Sequence, residues 1–241
     1  MIPEPERIAD NLRRVRERIN AAAQRAGRRI EDVRLVGVCK GIDVERIQAV
    51  IAAGLTDLGE NFVQEAQGKI EAVGKHVTWH LVGHLQTNKA KAAVSLFDII
   101  QTVDSVKLAE AIAKRCEQAG RTMPVLLEVN TSGEESKFGV LPGNLRAVIE
   151  GVRELPGIAV QGLMTIGRMP ADPEDARPDF RLLASLARQV ESWGIAGVEM
   201  RWLSMGMTAD FEVAIEEGAN IVRVGTGIFG PRGNLPRRGI S

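Results

Sequence analysis

The 241-residue sequence contains no tyrosine, and aromatic residues of all kinds make up only 4% of it. No phenol of its own is therefore available for acid–base chemistry. Cysteine is almost as scarce. Cys39 and Cys116 stand in no motif, which argues against a disulfide framework or a thiolate metal site and predicts two buried free thiols in a reducing compartment. Net charge is also missing. Lys+Arg (31) equals Asp+Glu (31), so there is no basic surplus for nucleic acid or an anionic membrane. The arginines that do cluster, in "RRVRER" and "PRGNLPRR", read as a solvated helix face and a loose tail. No apolar run approaches the length of a membrane span. The N-terminus, "MIPEPERIADNLRR", is charged from the start and lacks the apolar region of a secretory signal. These absences predict a cytoplasmic protein with neither a membrane nor a nucleic-acid partner.

What is present is a core and a repeat. Hydrophobic residues make up 44% of the chain. Ile8, Leu12, Val15, Ile19 and Ala23 recur at helical spacing and Gly27 follows, which predicts a leading helix over about residues 5–26. After it, short apolar runs alternate with helical patterns. The runs are "RLVGVC", "TDLGE", "VTWHLVG", "LFDIIQTV", "PVLLEVN", "IAVQGLMTI", "RWLSMG" and "NIVRVG". All but the last precede a helix candidate. Strands that alternate with helices are parallel and joined by right-handed crossovers. Eight repeats predict a (β/α)₈ barrel over about residues 33–230, with the extra N-terminal helix before it and a tail at 231–241, all in a single domain. A doubly wound open sheet is the alternative, but no Gly-rich dinucleotide fingerprint follows the first strand. The longest irregular stretch, "GRMPADPEDARPD", lies between a strand and its helix and reads as a loop.

In such a barrel the strand C-termini carry the chemistry. Lys40 ends the apolar run "RLVGVC" and so falls at that mouth. Two readings stand: a lysine snorkelling along the rim, or an amine that attacks a carbonyl once desolvation or nearby cations lower its pKa. The second needs a partner site. "LSMGMT" after the seventh strand offers Ser204, Gly206 and Thr208; "RVGTGIFG" after the eighth offers Gly225, Thr226 and Gly227. Together they could cradle a phosphate, where barrels often place one. The plain alternative is two ordinary turns, with Thr208 as a helix N-cap. Arg223 alternates with Val222 and Val224 and points to the other face, either to donate to a pyridine nitrogen or to pair with Glu60 or Glu128. His76, His80 and His84 recur at spacings of four but lie in a strand pattern with no carboxylate to complete a ligand set, so no metal site is expected. His80 is instead expected inside the barrel. Asn61 is either a helix N-cap or a ligand contact. Lys137, in the polar loop "NTSGEESKFG", is either a gating cation or a solvated loop residue.

Taken together, "LVGVCK", "LGENFVQEA", "WHLVGHLQTNK", "VNTSGEESKFG", "GLMTI" and "LSMGMTADFEVAIEEGANIVRVGTGIFG" resemble the pyridoxal phosphate homeostasis proteins, single-domain barrels related to the alanine racemase N-terminal domain (the fold-type III arrangement). The family pattern has a small hydroxyl residue before the lysine and Thr-Lys-Pro or similar after it; here Cys39 precedes Lys40, and Gly41 and Ile42 follow. The resemblance implies pyridoxal 5'-phosphate (PLP) as an aldimine on Lys40. It implies phosphate contacts from Ser204, Gly206, Gly225 and Thr226, with Arg223 toward the pyridine nitrogen and Asn61 near the ring. Met164 and His80 are further lining residues by similarity.

The resemblance also frames the choice between carrier and catalyst. A racemase of this fold needs a second acid/base across the cofactor, a tyrosine contributed by a partner subunit's additional domain. This chain has no tyrosine, and it ends soon after the eighth strand. An arginine at the ring nitrogen also weakens the ring as an electron sink. The expectation is therefore a non-catalytic, monomeric carrier without catalytic residues, which holds PLP and supplies it to PLP-dependent apo-enzymes. The alternatives are a weak amino-acid racemase or other PLP enzyme, and a barrel aldolase using Lys40 on a sugar phosphate.

Overall fold

The computed structural model describes residues 3–168 and 171–231; the expected tail therefore lies almost wholly outside the described residues. The chain opens with α1 (Glu4–Arg25), then runs β1 (Arg34–Val38), α2 (Val44–Ala52), β2 (Asp57–Glu60), α3 (Val63–Val73), β3 (Thr78–Leu81), α4 (Ala90–Leu96), β4 (Ile99–Val103) and α5 (Val106–Ala119). It continues through β5 (Met123–Glu128), α6 (Leu145–Arg153), β6 (Ile158–Met164), α7 (Arg177–Ser192), β7 (Val198–Ser204), α8 (Phe211–Glu216), β8 (Ile221–Val224) and α9 (Thr226–Phe229). The strands close in sequence order into one barrel. Closure pairs β8 with β1 in parallel, with Val36 beside Arg223 and Gly37 beside Val224. This is the (β/α)₈ barrel that the sequence predicts.

Most of the core lies between strands and helices, as parallel strands covered on both faces require. α1 buries Ile8, Leu12, Val15, Ile19, Ala22 and Ala23. It packs against α2, α8 and α9, over the seam where the last strand meets the first. The barrel interior is different. A small apolar cluster of Val36, Leu126, Met164 and Ile221 lies inside it, with Trp202 packed alongside. Branched apolar layers would normally fill the rest. Here Asp57, His80, Gln101, Glu128, Ser204 and Arg223 are all buried.

Some local expectations differ from the structure. Thr208 does not cap α8; the N-cap residue is Asp210, whose carboxylate accepts from the Met207 N–H at 2.6 Å. Asn61 does not cap α3 either, because that helix starts from Phe62 without a side-chain cap. Part of the long loop after β6 is helical: Pro173–Ala176 forms a 3₁₀ turn that leads into α7.

Candidate functional site

Lys40 stands two residues beyond β1, on the same strand parity as Val36 and Val38, so its side chain is directed at the barrel mouth. It is half-buried, and its Nζ lies 4.8 Å from the centroid of the Phe62 ring. Val38, Lys40, Ile42, Gly225, Thr226 and Gly230 line one small cleft. The lysine and the glycine–threonine turn after β8 therefore meet because β8 closes onto β1. A broader depression lined by Glu150, Arg153, Gly194, Ile195 and Ala196 lies at the N-terminal end of β7. No lysine or glycine–threonine turn converges there, so it is not a candidate for the same chemistry.

The turns after β7 and β8 are tied to each other. The Thr208 hydroxyl accepts from the Gly227 N–H at 3.3 Å and lies 3.3 Å from the Thr226 hydroxyl. Gly206 has φ 90°, and a Cβ there would come within 2.5 Å of the Ala214 Cβ. Only glycine fits that close approach. At Gly225 a Cβ would be 3.3 Å from the Val38 carbonyl oxygen, at the cleft wall.

Beneath the cleft, Arg223 is 4% exposed. Its Nη1 donates to the Ser204 hydroxyl at 2.6 Å and its Nη2 to the Thr165 carbonyl at 2.8 Å. It forms no ion pair with Glu60 or Glu128 among the described residues, so neither salt-bridge expectation is met. Burial lowers its pKa to about 10, with Glu128 and Asp210 opposing; it remains a cation at neutral pH. A guanidinium only donates, and this fixes the direction of a chain. Ser204 turns its own proton to Gln101 Oε1 at 2.7 Å. The Gln101 amide nitrogen then donates to His80 Nδ1 at 2.8 Å. His80 consequently carries its proton on Nε2, 3.0 Å from Asp57 Oδ1. Thr56 donates to the other Asp57 oxygen at 2.8 Å and Arg34 pairs with Asp57 at 3.3 Å. Burial works against the Asp57 charge, but the His80 and Thr56 bonds and the Arg34 charge hold its pKa below the ordinary carboxylate value.

Glu128 lies on the interior face two residues after Leu126. Its Oε2 is buried and has no hydrogen-bond partner among the described residues. Burial and the Asp104 charge raise its pKa to about 7, against the pull of Arg223. Glu60 faces the other way, toward α3, and pairs with the buried Lys69. Ser204 is fully buried and its hydroxyl is engaged by Gln101 and Arg223. Met164 belongs to the apolar cluster. Lys137 joins the loops after β5 and β6 by donating to Glu134 at 2.7 Å and to the Gly167 carbonyl at 3.2 Å. Among the described residues no group of three or more His, Cys, Asp or Glu side chains could hold a metal ion. No helix of the described residues is long and apolar enough to cross a membrane. Cys39 and Cys116 are free and buried.

The sequence reading did not assign Asp57 or Gln101 to this chain, or Lys69 to Glu60. For Asp57 and Gln101 the available signal is a polar residue at an interior position of an otherwise apolar strand; for Lys69 it is a charge on the apolar face of α3.

A closed parallel barrel with a lysine just beyond β1 and glycine turns beyond β7 and β8 defines the alanine racemase class of barrels. The sequence family described as alanine racemase, N-terminal domain, matches residues 7–233. An alanine racemase of Clostridium difficile shares this fold at TM-score 0.74, with 16% identity over 95% of this chain and 61% of that one. Nearer relatives are more specific. A pyridoxal phosphate homeostasis protein of Aquifex aeolicus is 45% identical over 92% of this chain and 97% of its own length. PipY of Synechococcus elongatus PCC7942, solved with PLP bound, superimposes at TM-score 0.81 with 32% identity, covering 92% of this chain and all of that one. This chain belongs to the family of pyridoxal phosphate homeostasis proteins.

Proposed function

We propose that this protein binds PLP covalently through Lys40 and serves intracellular vitamin B6 homeostasis. As a cytoplasmic monomer, it stores the cofactor and supplies it to PLP-dependent apo-enzymes, with no turnover of its own. The observation that carries this reading is the cleft where Lys40 meets Gly225 and Thr226, above a buried Arg223. PLP brings an aldehyde, which condenses with an amine to form a carbon–nitrogen double bond and release water, and a phosphate.

The chain's residues fit that group. Lys40 is the attachment point. Gly206, Gly225 and Thr226 would hold the phosphate, and Asn61 would contact the ring. Arg223 uses donors on Ser204 and the Thr165 carbonyl, and the guanidinium has others for the ring nitrogen. Ser204 acts through Arg223, because its hydroxyl is already committed on both sides. A cationic donor at that nitrogen leaves the nitrogen without a proton of its own. This weakens the ring as an electron sink and disfavours transamination. The names of the relatives support a homeostatic role, and the PLP bound in PipY supports the cofactor.

The test is borohydride reduction of the PLP-loaded protein followed by peptide mass analysis. One pyridoxyl phosphate on Lys40 is expected, and Lys40→Ala is expected to lose the visible absorbance band. An unmodified Lys40 refutes the reading. Incubation with single enantiomers of alanine and other amino acids tests the racemase alternative, and turnover at the rate of a genuine racemase would overturn the non-catalytic role. Transfer to an apo-enzyme faster than free dissociation supports delivery; an equal rate limits the role to storage.

A further inference from the structure

Lys40 occupies a tight turn whose backbone is gripped from the helix layer. The Ile42 N–H closes the turn onto the Cys39 carbonyl at 3.0 Å, and Gly41 in third place has φ 69°, the conformation that makes glycine the residue of choice there. The same Cys39 carbonyl accepts from Lys69 Nζ of α3 at 2.6 Å. On the other side of Lys40, the Gly41 N–H donates to Glu65 Oε1 at 2.5 Å. Glu65 and Lys69 are themselves paired at 2.7 Å, one helical turn apart. Lys69 also pairs with the fully buried Glu60. The peptide group before the lysine and the one after it therefore have a charged partner on a single helix.

Packing alone does not ask for this cluster. Lys69 is 7% exposed and lies among Val63, Ala66, Ile70 and Val73 on the buried face of α3. A buried ion pair is seldom more stabilising than apolar residues of the same volume. What it supplies is direction: two charge-assisted hydrogen bonds aimed at the two peptide groups that flank one side chain. We infer that Glu65 and Lys69 are positioning residues for Lys40, a two-point clamp that sets how fast its amine takes up and releases PLP. The inference rests on the proposed role of Lys40. Gly41 supplies the positive φ that presents its N–H to Glu65, and the Cys39 thiol packs inward against the Gly59 carbonyl at 3.3 Å.

The test uses Glu65→Ala, Lys69→Met and the double variant Glu60→Gln/Lys69→Met, which removes both buried charges together and so keeps a folded protein in hand. Glu71→Ala, on the exposed side of the same helix, is the control. Amide hydrogen exchange at Gly41 in the cofactor-free protein reads the clamp itself, and stopped-flow absorbance reads PLP uptake and release. Glu65→Ala is expected to accelerate exchange at Gly41. Displacing a reacting group by about 1 Å costs up to about 100-fold, so uptake should slow by about 10- to 100-fold in each clamp variant and stay unchanged in the control. Wild-type rates in folded clamp variants, with the wild-type adduct present on Lys40, overturn the clamp alone. A wild-type protein that takes up no PLP on Lys40 overturns the clamp and the carrier reading together.

Discussion

Replacing Gln101 by Leu cuts the interior chain at its middle. Gln101 links Ser204 to His80, at 2.7 and 2.8 Å, and all three residues are fully buried. Leucine fills most of the volume but leaves the Ser204 hydroxyl proton and the His80 Nδ1 lone pair without partners or water. Each orphaned buried group costs about 1–3 kcal/mol, so Gln101→Leu should destabilise by about 2–6 kcal/mol. That is a large share of the roughly 5–15 kcal/mol by which domains are stable. His80→Phe alone orphans the Gln101 amide instead. In the double variant His80→Phe/Gln101→Leu, the bond between the two positions no longer exists to be broken. The two losses should therefore fail to add, with a coupling of about 1–3 kcal/mol. Urea unfolding of the four proteins at constant m measures this. Arg223 also loses its fixed seat on Ser204, so PLP affinity should fall in Gln101→Leu beyond what stability explains. A Gln101→Leu protein within about 0.5 kcal/mol of wild type, or strict additivity in the cycle, would refute the directed chain.

Glu128 gives a pH prediction. Its folded pKa of about 7 stands above the ordinary 4.5, so between those values the folded state binds the extra proton. The stability it contributes is full below about 4.5 and is lost as pH rises through about 7, some 3 kcal/mol in all. Glu128→Gln should flatten that slope in urea titrations, gaining on wild type at pH 8 relative to pH 5. Gly206→Ala places a Cβ 2.5 Å from the Ala214 Cβ and 2.8 Å from the Phe211 Cα, and should lower stability by about 2–4 kcal/mol by thermal unfolding. Gly225→Ala, with φ −105° and a nearest contact of 3.3 Å, should fold well but weaken PLP binding in a spectral titration. Burial, and then the Glu60 charge, push the Cys39 thiol well above its ordinary pKa, so iodoacetamide should label it only after unfolding.

The barrel was legible because its strands are apolar runs at regular intervals, and because each helix between them shows one apolar face. Lys40 was legible for the same reason: a charge at the end of a buried strand has few places to go except the mouth. The partners of Arg223 were not. Asp57, His80, Gln101 and Ser204 belong to four strands, and their contacts arise only when the barrel closes and interior parity aligns them. A sequence window sees each as one polar residue in an apolar run. Lys69 was hidden differently. Its spacing from Glu65 is that of an ordinary solvated helix pair. The clue lay in its position three residues after Ala66 and four before Val73, on the apolar face, where a charge needs a buried counterpart. Thr208 failed as an N-cap because Asp210 took that role, freeing the hydroxyl to bond Gly227.

The two polar systems lie on opposite faces of the same barrel wall. Inside, the chain from Asp57 to Ser204 holds the guanidinium of Arg223. Outside, Glu60, Glu65 and Lys69 hold the turn that carries Lys40. β2 feeds both, since Asp57 points inward and Glu60 outward. Apolar packing alone would place these elements with the tolerance of interchangeable rotamers. Charged hydrogen bonds fix direction as well as distance, at the cost of burying groups that water would otherwise solvate. A site that, as proposed, holds one reactive aldehyde and gives it up on demand would need the amine, the ring partner and the phosphate turn to keep their places whether or not the cofactor is bound. The Thr208 link between the last two turns, the clamp on Lys40 and the chain beneath Arg223 each fix one of those three points using residues of this chain alone. On the proposed reading, the exchange rate of the cofactor would be set at the clamp, where one of the partners, Glu65, is partly open to solvent.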